Sequence, residues 1–207
     1  MYIPAHFSEN RPEQLQRIMR EHPLGMLVTH GEVGLDADHI PFEFDATAGP
    51  HGMLTAHVAR GNTLWQRCPT GTPVMVVFRG ADAYISPNWY PSKHVTHRQV
   101  PTWNYEVVHA HGTLTVHDDE RFVRSLVARL TRRHEALEPK PWKMGDSEPD
   151  YIHQMLRSIV GIEIAITSLV GKVKLSQNKD EGDRLNAADT LEARGQSAMA
   201  QAMRQAG

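Results

Sequence analysis

From Tyr84 to Tyr105 the chain reads YISPNWYPSKHVTHRQVPTWNY, a stretch holding five aromatics (Tyr84, Trp89, Tyr90, Trp103, Tyr105), three prolines, Lys93 and Arg98. It lies between two strand-like runs, VMVVF before it and VVHAHGTLTV after it. Ordinary connections are short and polar, so a long one stiffened by proline and rich in aromatics points to function. Planar side chains with hydrogen-bonding tips, set beside a few cations, suit a flat anionic ligand. An Ω-loop packed on its own aromatics is the plain alternative that composition leaves open.

Other residue groups could also do chemistry. In ARGNTLWQRC, Asn62 can cap a short helix beside Arg60, and free helix N–H groups next to a guanidinium make a phosphate cradle. The same letters also read as a capped turn with a solvated arginine. Among 13 histidines, His109 and His111 sit two apart on one strand face, where they could join a metal or haem site if His57 or His39 supplied a third ligand. No carboxylate or cysteine pattern supports that site. Cys68 is the single cysteine, which excludes an intramolecular disulfide and a multi-cysteine zinc site. The chain has no G-x-S-x-G elbow for a nucleophile and no G-x-G-x-x-G for a nicotinamide.

A chain of 207 residues with 40% hydrophobic and 22% charged side chains suits one soluble core with a helical tail. The net charge of -2 gives no electrostatic footprint for nucleic acid, so DNA remains a possible partner that charge does not support. No apolar run approaches the roughly 20 residues of a membrane span, and MYIPAHFSEN lacks a signal pattern. The expectation is a cytoplasmic protein without a membrane partner.

In order, MYIPAHF reads as extended and docked, and a helix follows from Pro12 with Leu15, Ile18 and Met19 on one face. GMLVTH, GLDADHIPFEFD and GMLTAHVA read as antiparallel strands, with turns at His30-Gly31-Glu32 and from Thr47 to Gly52. PVMVVFRG is a central strand turning at Gly80 to Asp82. After the aromatic stretch, Val108, Ala110, Leu114 and Val116 share one strand face, and Trp103, Tyr105, His109 and His111 the other. Asp118 is the expected cap of an amphipathic helix carrying Phe122, Val123, Leu126, Val127 and Leu130. A proline-rich connection anchored by Trp142, a short helix PDYIHQMLRS and a strand alternating Val160, Ile162, Ile164 and Ile166 come next. The tail reads as one or two helices broken near Gly195. The fold class is α+β, with an antiparallel barrel-like core.

The strings MYIPAHF, GLDADHIPF, LTAHVARGN, YISPNWY, VPTWNY and KLSQN, in that order, resemble the PaiB family of FMN-binding proteins labelled negative transcriptional regulators. The resemblance runs from Met1 to about residue 205. It implies a split β-barrel similar to that of the pyridoxamine-phosphate oxidases, and a homodimer with FMN at the subunit interface. The implied organisation is a flavin domain over 1–178 with a helical extension over 179–207. Carried onto this sequence, the resemblance implies FMN contacts by His39, Pro41, His57, Arg60, Asn62, Ser86, Lys93, Trp103, Asn104, Tyr105, Lys174, Ser176 and Gln177, with no metal. Arg60, Lys93 and Lys174 are the candidate cations for the phosphate.

Three functions fit such a ligand. The first is a flavin-binding regulator of transcription, acting directly or through flavin state. The second is a flavin-dependent oxidoreductase or flavin reductase, and the third a flavin store or sensor without turnover. A haem- or metal-binding split barrel is a further alternative. Binding residues alone do not choose among them.

Overall fold

The structure, a computed structural model, describes residues 1–31 and 34–206. The chain forms β1 (Ser8–Glu9), α1 (Pro12–Glu21), β2 (Leu24–Gly31), β3 (Gly34–Pro41), β4 (Glu43–Asp45) and β5 (Met53–Ala59). It continues with α2 (Leu64–Arg67), β6 (Pro73–Ile85), α3 (Lys93–Thr96), β7 (Thr102–His117), α4 (Glu120–Glu135) and α5 (Pro149–Arg157). The last elements are β8 (Ile159–Lys174), α6 (Glu181–Ala193) and α7 (Ser197–Gln205). The strand order is β3-β2-β6-β7-β8-β5-β4, with β1 paired to β8. By contacts the chain divides into two units, one of Met1–His22, Phe78–His109 and the chain from Val170, the other of Pro23–Val77 and Ala110–Leu169.

In the first unit, α1 starts on Pro12, whose missing N–H costs nothing at that position, and buries Leu15, Ile18 and Met19. β1 pairs antiparallel with the end of β8, Ser8 opposite Lys172. β6 does not turn at Gly80 to Asp82 as expected but runs on to Ile85. Gly80 is there for space: a Cβ would fall 2.9 Å from the Glu106 Cβ. A glycine that makes room for a neighbouring side chain thus looks, in sequence, like a turn. β8 likewise extends through the KVK run to Lys174. The expected break at Gly195 is present, with φ at +76°, and the N–H groups of Gly195 and Gln196 return to Glu192 and Leu191 carbonyls. Leu191, Met199, Ala200 and Met203 are buried between the two tail helices.

In the second unit, β2 and β3 pair from Leu24↔Pro41 to Gly31↔Gly34, the hairpin expected around His30. Glu32 of that expected turn lies outside the described residues. β5 and β8 set Leu54 opposite Ile164, Ala56 opposite Ile162 and Val58 opposite Val160, all buried. This is the alternation the sequence displays, with one face of each strand given to the core. The cap of α4 is Asp119, not Asp118: its side chain accepts from the Phe122 N–H at 2.8 Å. Asp119 has the extended backbone a cap needs and stands three residues ahead of the free N–H it meets. Val123 of α4 packs with Ile152 and Leu156 of α5, and Val127 and Met144 close the cluster. Trp142 is 40% exposed, and its connection is tied by its backbone N–H to the Glu135 carboxylate at 2.8 Å.

Candidate functional site

The aromatic stretch is a structured connection between β6 and β7. Ser86 caps a turn at Pro87–Trp89 by accepting from the Asn88 N–H, and Lys93 Nζ donates to Asn88 Oδ1 at 2.8 Å. Tyr90 is fully buried, with its hydroxyl 2.9 Å from Ser176 Oγ. Asn104 Nδ2 donates to the same Ser176 Oγ at 2.9 Å. With Asn104 at 0% and Ser176 at 2% exposure, this pair is an interior polar knot, and Asn104 Oδ1 is left without a partner. Trp103 points the other way, 54% exposed and edge-on to Tyr84 at 6.1 Å. With half-buried Tyr105 it lines a hollow of ≈ 420 Å³ that also holds Arg79 and Asp82.

Beside Tyr105 stands a row of lysines. Lys172 Nζ lies 5.3 Å from the Tyr105 ring centroid and donates to the Tyr2 carbonyl. Lys174 Nζ donates to Thr102 Oγ1 and lies 5.9 Å from the Phe7 ring. Lys179 Nζ donates to Gln99 Oε1 at 2.6 Å and lies 5.6 Å from the Tyr90 ring. Among the described residues, none of the three has a carboxylate partner. Burial holds the Lys174 ammonium below its ordinary pKa; Tyr105 pulls the other way, and the charges of Lys172 and Lys179 add to the lowering. A cation that is partly desolvated, unpaired and crowded by like charge is a receptor for an anion.

A larger cleft of ≈ 660 Å³ in the same unit includes Gln177 in its lining. Its cations are already matched: Arg11 pairs with Glu9 at 2.6 Å and Arg17 with Glu106 at 2.5 Å. Burial alone would raise the Glu9 pKa, but the Arg11 hydrogen bonds and charge outweigh it and hold the carboxyl down. A cleft whose positive charge is spent on buried carboxylates has less to offer a phosphate than the lysine row. Gln177 itself is engaged with the backbone, accepting from the Leu175 N–H and donating to the Val173 carbonyl.

The remaining expected residues lie in the second unit. His39 and Pro41 are exposed at the end of β3. Arg60 donates to both Asp118 carboxylate oxygens and to the Arg157 carbonyl. Asn62 accepts from the Leu64 N–H and donates to Asp38 Oδ1 at 2.7 Å. The expected cap at Asn62 is displaced: Thr63 holds the cap position of α2 without a side-chain bond, Asn62 sits one residue before it and meets only the first N–H, and a helix of four residues aligns few peptide dipoles. His57 Nδ1 and Asp38 Oδ2 are buried without partners, and burial lowers the His57 pKa. No group of three or more His, Cys, Asp or Glu among the described residues could hold a metal ion.

FMN, the cofactor the resemblance implies, needs a flat apolar slot, polar groups for its ribityl chain and cations for its phosphate. The first unit meets that need with Trp103 and Tyr105, the loop amides and hydroxyls, and the unpaired lysines, so the residues present fit the group. Sequence reading found Lys174 but missed Lys172 and Lys179. The signal was available in part, because K-V-K places Lys172 and Lys174 on one strand face once β8 is carried that far.

The family described as "Putative FMN-binding domain" matches residues 1–168. Protease synthase and sporulation protein PAI 2 of Bacillus subtilis (strain 168) is 31% identical over 192 residues, 93% of this chain and 89% of that one. An uncharacterized protein of Emericella nidulans is 30% identical over 219 residues, 89% of this chain and 87% of its own. The fold is similar to that of the FAD and heme binding protein from Mycobacterium smegmatis, with a TM-score of 0.57 at 16% identity, over 81% of this chain and 73% of the other. It is also similar to the flavocytochrome Anf3 from Azotobacter vinelandii, with a TM-score of 0.59 at 10% identity, over 84% and 72%. The antiparallel sheet and its helices are the split-barrel α+β class, and the chain belongs to the FMN-binding domain family that includes PAI 2, with FMN as its cofactor.

Proposed function

We propose that this protein is a PaiB-type regulator of gene expression whose FMN lies along Trp103 and Tyr105, with its phosphate at Lys174 and the flanking Lys172 and Lys179. The observation that carries the site is the lysine row itself: three neighbouring cations without a carboxylate, while Arg11, Arg17 and Arg79 nearby are each paired to an acid. Its role as a regulator is supported by the 31% identity to the protein named Protease synthase and sporulation protein PAI 2. A net charge of -2 favours action through a partner protein or through flavin state over direct grip on DNA. In this reading the protein works as a cytoplasmic homodimer.

When bound, FMN supplies one- and two-electron redox chemistry. The chain's own residues orient it and set its charge environment. Lys174 meets the phosphate as a charge-assisted donor, Lys172 and Lys179 keep that end of the site positive, and the hydroxyl and amide groups of Ser86 and Asn88 offer hydrogen bonds along the loop. His39, Pro41, His57, Arg60 and Asn62 are carried as a separate set of candidate contacts in the second unit.

Absorbance of protein from riboflavin-replete cells, with mass spectrometry of the released ligand, tests the cofactor. Titration with FMN tests the site: Lys174→Ala should weaken binding about tenfold or more, the loss expected of one charge-assisted contact. Unchanged affinity in Lys174→Ala rejects the lysine row, and a parallel Arg60→Ala titration then tests the second set. An electrophoretic shift of DNA at low salt would favour the direct mode over the indirect one. A second reading, a flavin-dependent oxidoreductase, is favoured by the open aromatic face of Trp103 and Tyr84, where a reductant could stack. Anaerobic bleaching of the flavin band near about 450 nm by NADH or NADPH would support it, as for any reducible flavin.

A further inference from the structure

The loop that carries Trp89, Tyr90 and Lys93 is fastened from one side by the chain after β8. Asp183, in the first turn of α6 and 3% exposed, accepts from the Ser92 N–H at 2.9 Å and from Ser92 Oγ at 2.5 Å. Gln99 Nε2 donates to Ser92 Oγ at 3.0 Å, and Lys179 Nζ donates to Gln99 Oε1 at 2.6 Å. Asn186 Nδ2 donates to the Trp89 carbonyl at 2.8 Å, and the Arg194 guanidinium lies 4.7 Å over the Trp89 ring. Apart from the Gln99–Ser92 bond, each of these contacts is made by a residue beyond the 1–168 span of the family match.

Each fastening satisfies a group that would otherwise be idle. The Ser92 N–H stands ahead of α3, where no helical carbonyl can accept it. A buried carboxylate needs several donors, and Asp183 has Ser92 twice over as well as the positive end of its own helix. Lys179 belongs to both systems: one of its three N–H donors holds Gln99, and the others remain for an anion. The geometry of the loop and the charge of the lysine row are thus joined through one side chain.

We propose that Asp183 is a positioning residue for the cofactor: by holding Ser92 it sets the loop from Trp89 to Gln99, and so the lifetime of bound FMN. The inference rests on the placement of FMN at the lysine row. The full-length protein with Asp183→Ala, Asp183→Asn or Ser92→Ala would be compared with wild type by hydrogen exchange over residues 86–99, FMN dissociation rate and thermal midpoint. Asp183→Ala should raise exchange in that loop and speed FMN release by about tenfold, the scale of a lost charge-assisted hydrogen bond. Asp183→Asn keeps an acceptor for the Ser92 N–H and should recover part of both effects. Ser92→Ala removes the hydroxyl's bonds to Asp183 and Gln99 but leaves the Ser92 N–H on Asp183, and gives a smaller change in the same direction, which preserves the test should Asp183→Ala fail to fold. Wild-type exchange in the loop of Ser92→Ala and Asp183→Asn overturns the clamp. Faster exchange with unchanged FMN release overturns the positioning role. Failure of the site itself reads differently, as wild-type FMN affinity in Lys174→Ala.

Discussion

Lys174 links the site to pH. Burial, opposed by Tyr105 and aided by Lys172 and Lys179, lowers its pKa from the ordinary 10.5. An anion beside it restores the proton, so the bound form carries more protons than the free form between the lowered value and 10.5. FMN affinity should therefore fall as pH rises through the lowered pKa. The unliganded protein should gain stability over the same window, because the unfolded chain then binds the extra proton. Titrations across the alkaline range with wild type and Lys174→Met check this, and the alkaline loss should vanish in the variant. His57 works at the acid end: burial lowers its pKa from 6.5, so stability is full above that value and is lost as pH falls from it to the folded-state pKa. Acid unfolding curves of His57→Gln should be flatter in that window. At this scale the sequence was partly legible. Asn62 was legible as a polar partner for the start of α2, one residue ahead of the true cap. Asn104 did not, although placing Trp103 and Tyr105 outward already turned it inward; a polar residue on an inner face is read as a ligand until its partner, here Ser176 across the chain, is known.

Elements with strong periodicity were readable: α1, α4, α5, β5 and the first half of β8 follow from their alternation or stripe alone. Errors gathered where two local rules compete. Gly80 and Asp82 carry turn chemistry, yet Gly80 serves to make room for Glu106 beside it and β6 runs on through both. In the Asp118-Asp119 pair either residue could cap α4, and the choice falls to Asp119 because Arg60 takes Asp118. The two roles predict different losses. Asp119→Ala should cost about 1 kcal/mol in chemical denaturation, as a lost cap does. Asp118→Ala should cost less, since it breaks an exposed ion pair that is worth little. Equal losses from both would contradict the assignment.

For the whole molecule, composition and charge predicted a single sheet-based chain without a strong nucleic-acid footprint, and no described helix is long and apolar enough to cross a membrane. What the sequence could not display is which segments share a unit. Met1–His22, Phe78–His109 and the chain from Val170 are far apart in order, and only long-range pairing unites them. Bringing distant segments together is slow, because loop closure must precede the contacts that reward it. In refolding experiments with FMN present, quenching of flavin fluorescence should lag behind the recovery of far-ultraviolet circular dichroism. Simultaneous recovery would show that the lysine row forms without its distant partners. The same three-part assembly has a consequence during synthesis. A ribosome delivers the aromatic loop long before Asp183 and Asn186 have been made, so the nascent chain must shelter Trp89 and Tyr90 unaided until the later segment joins them.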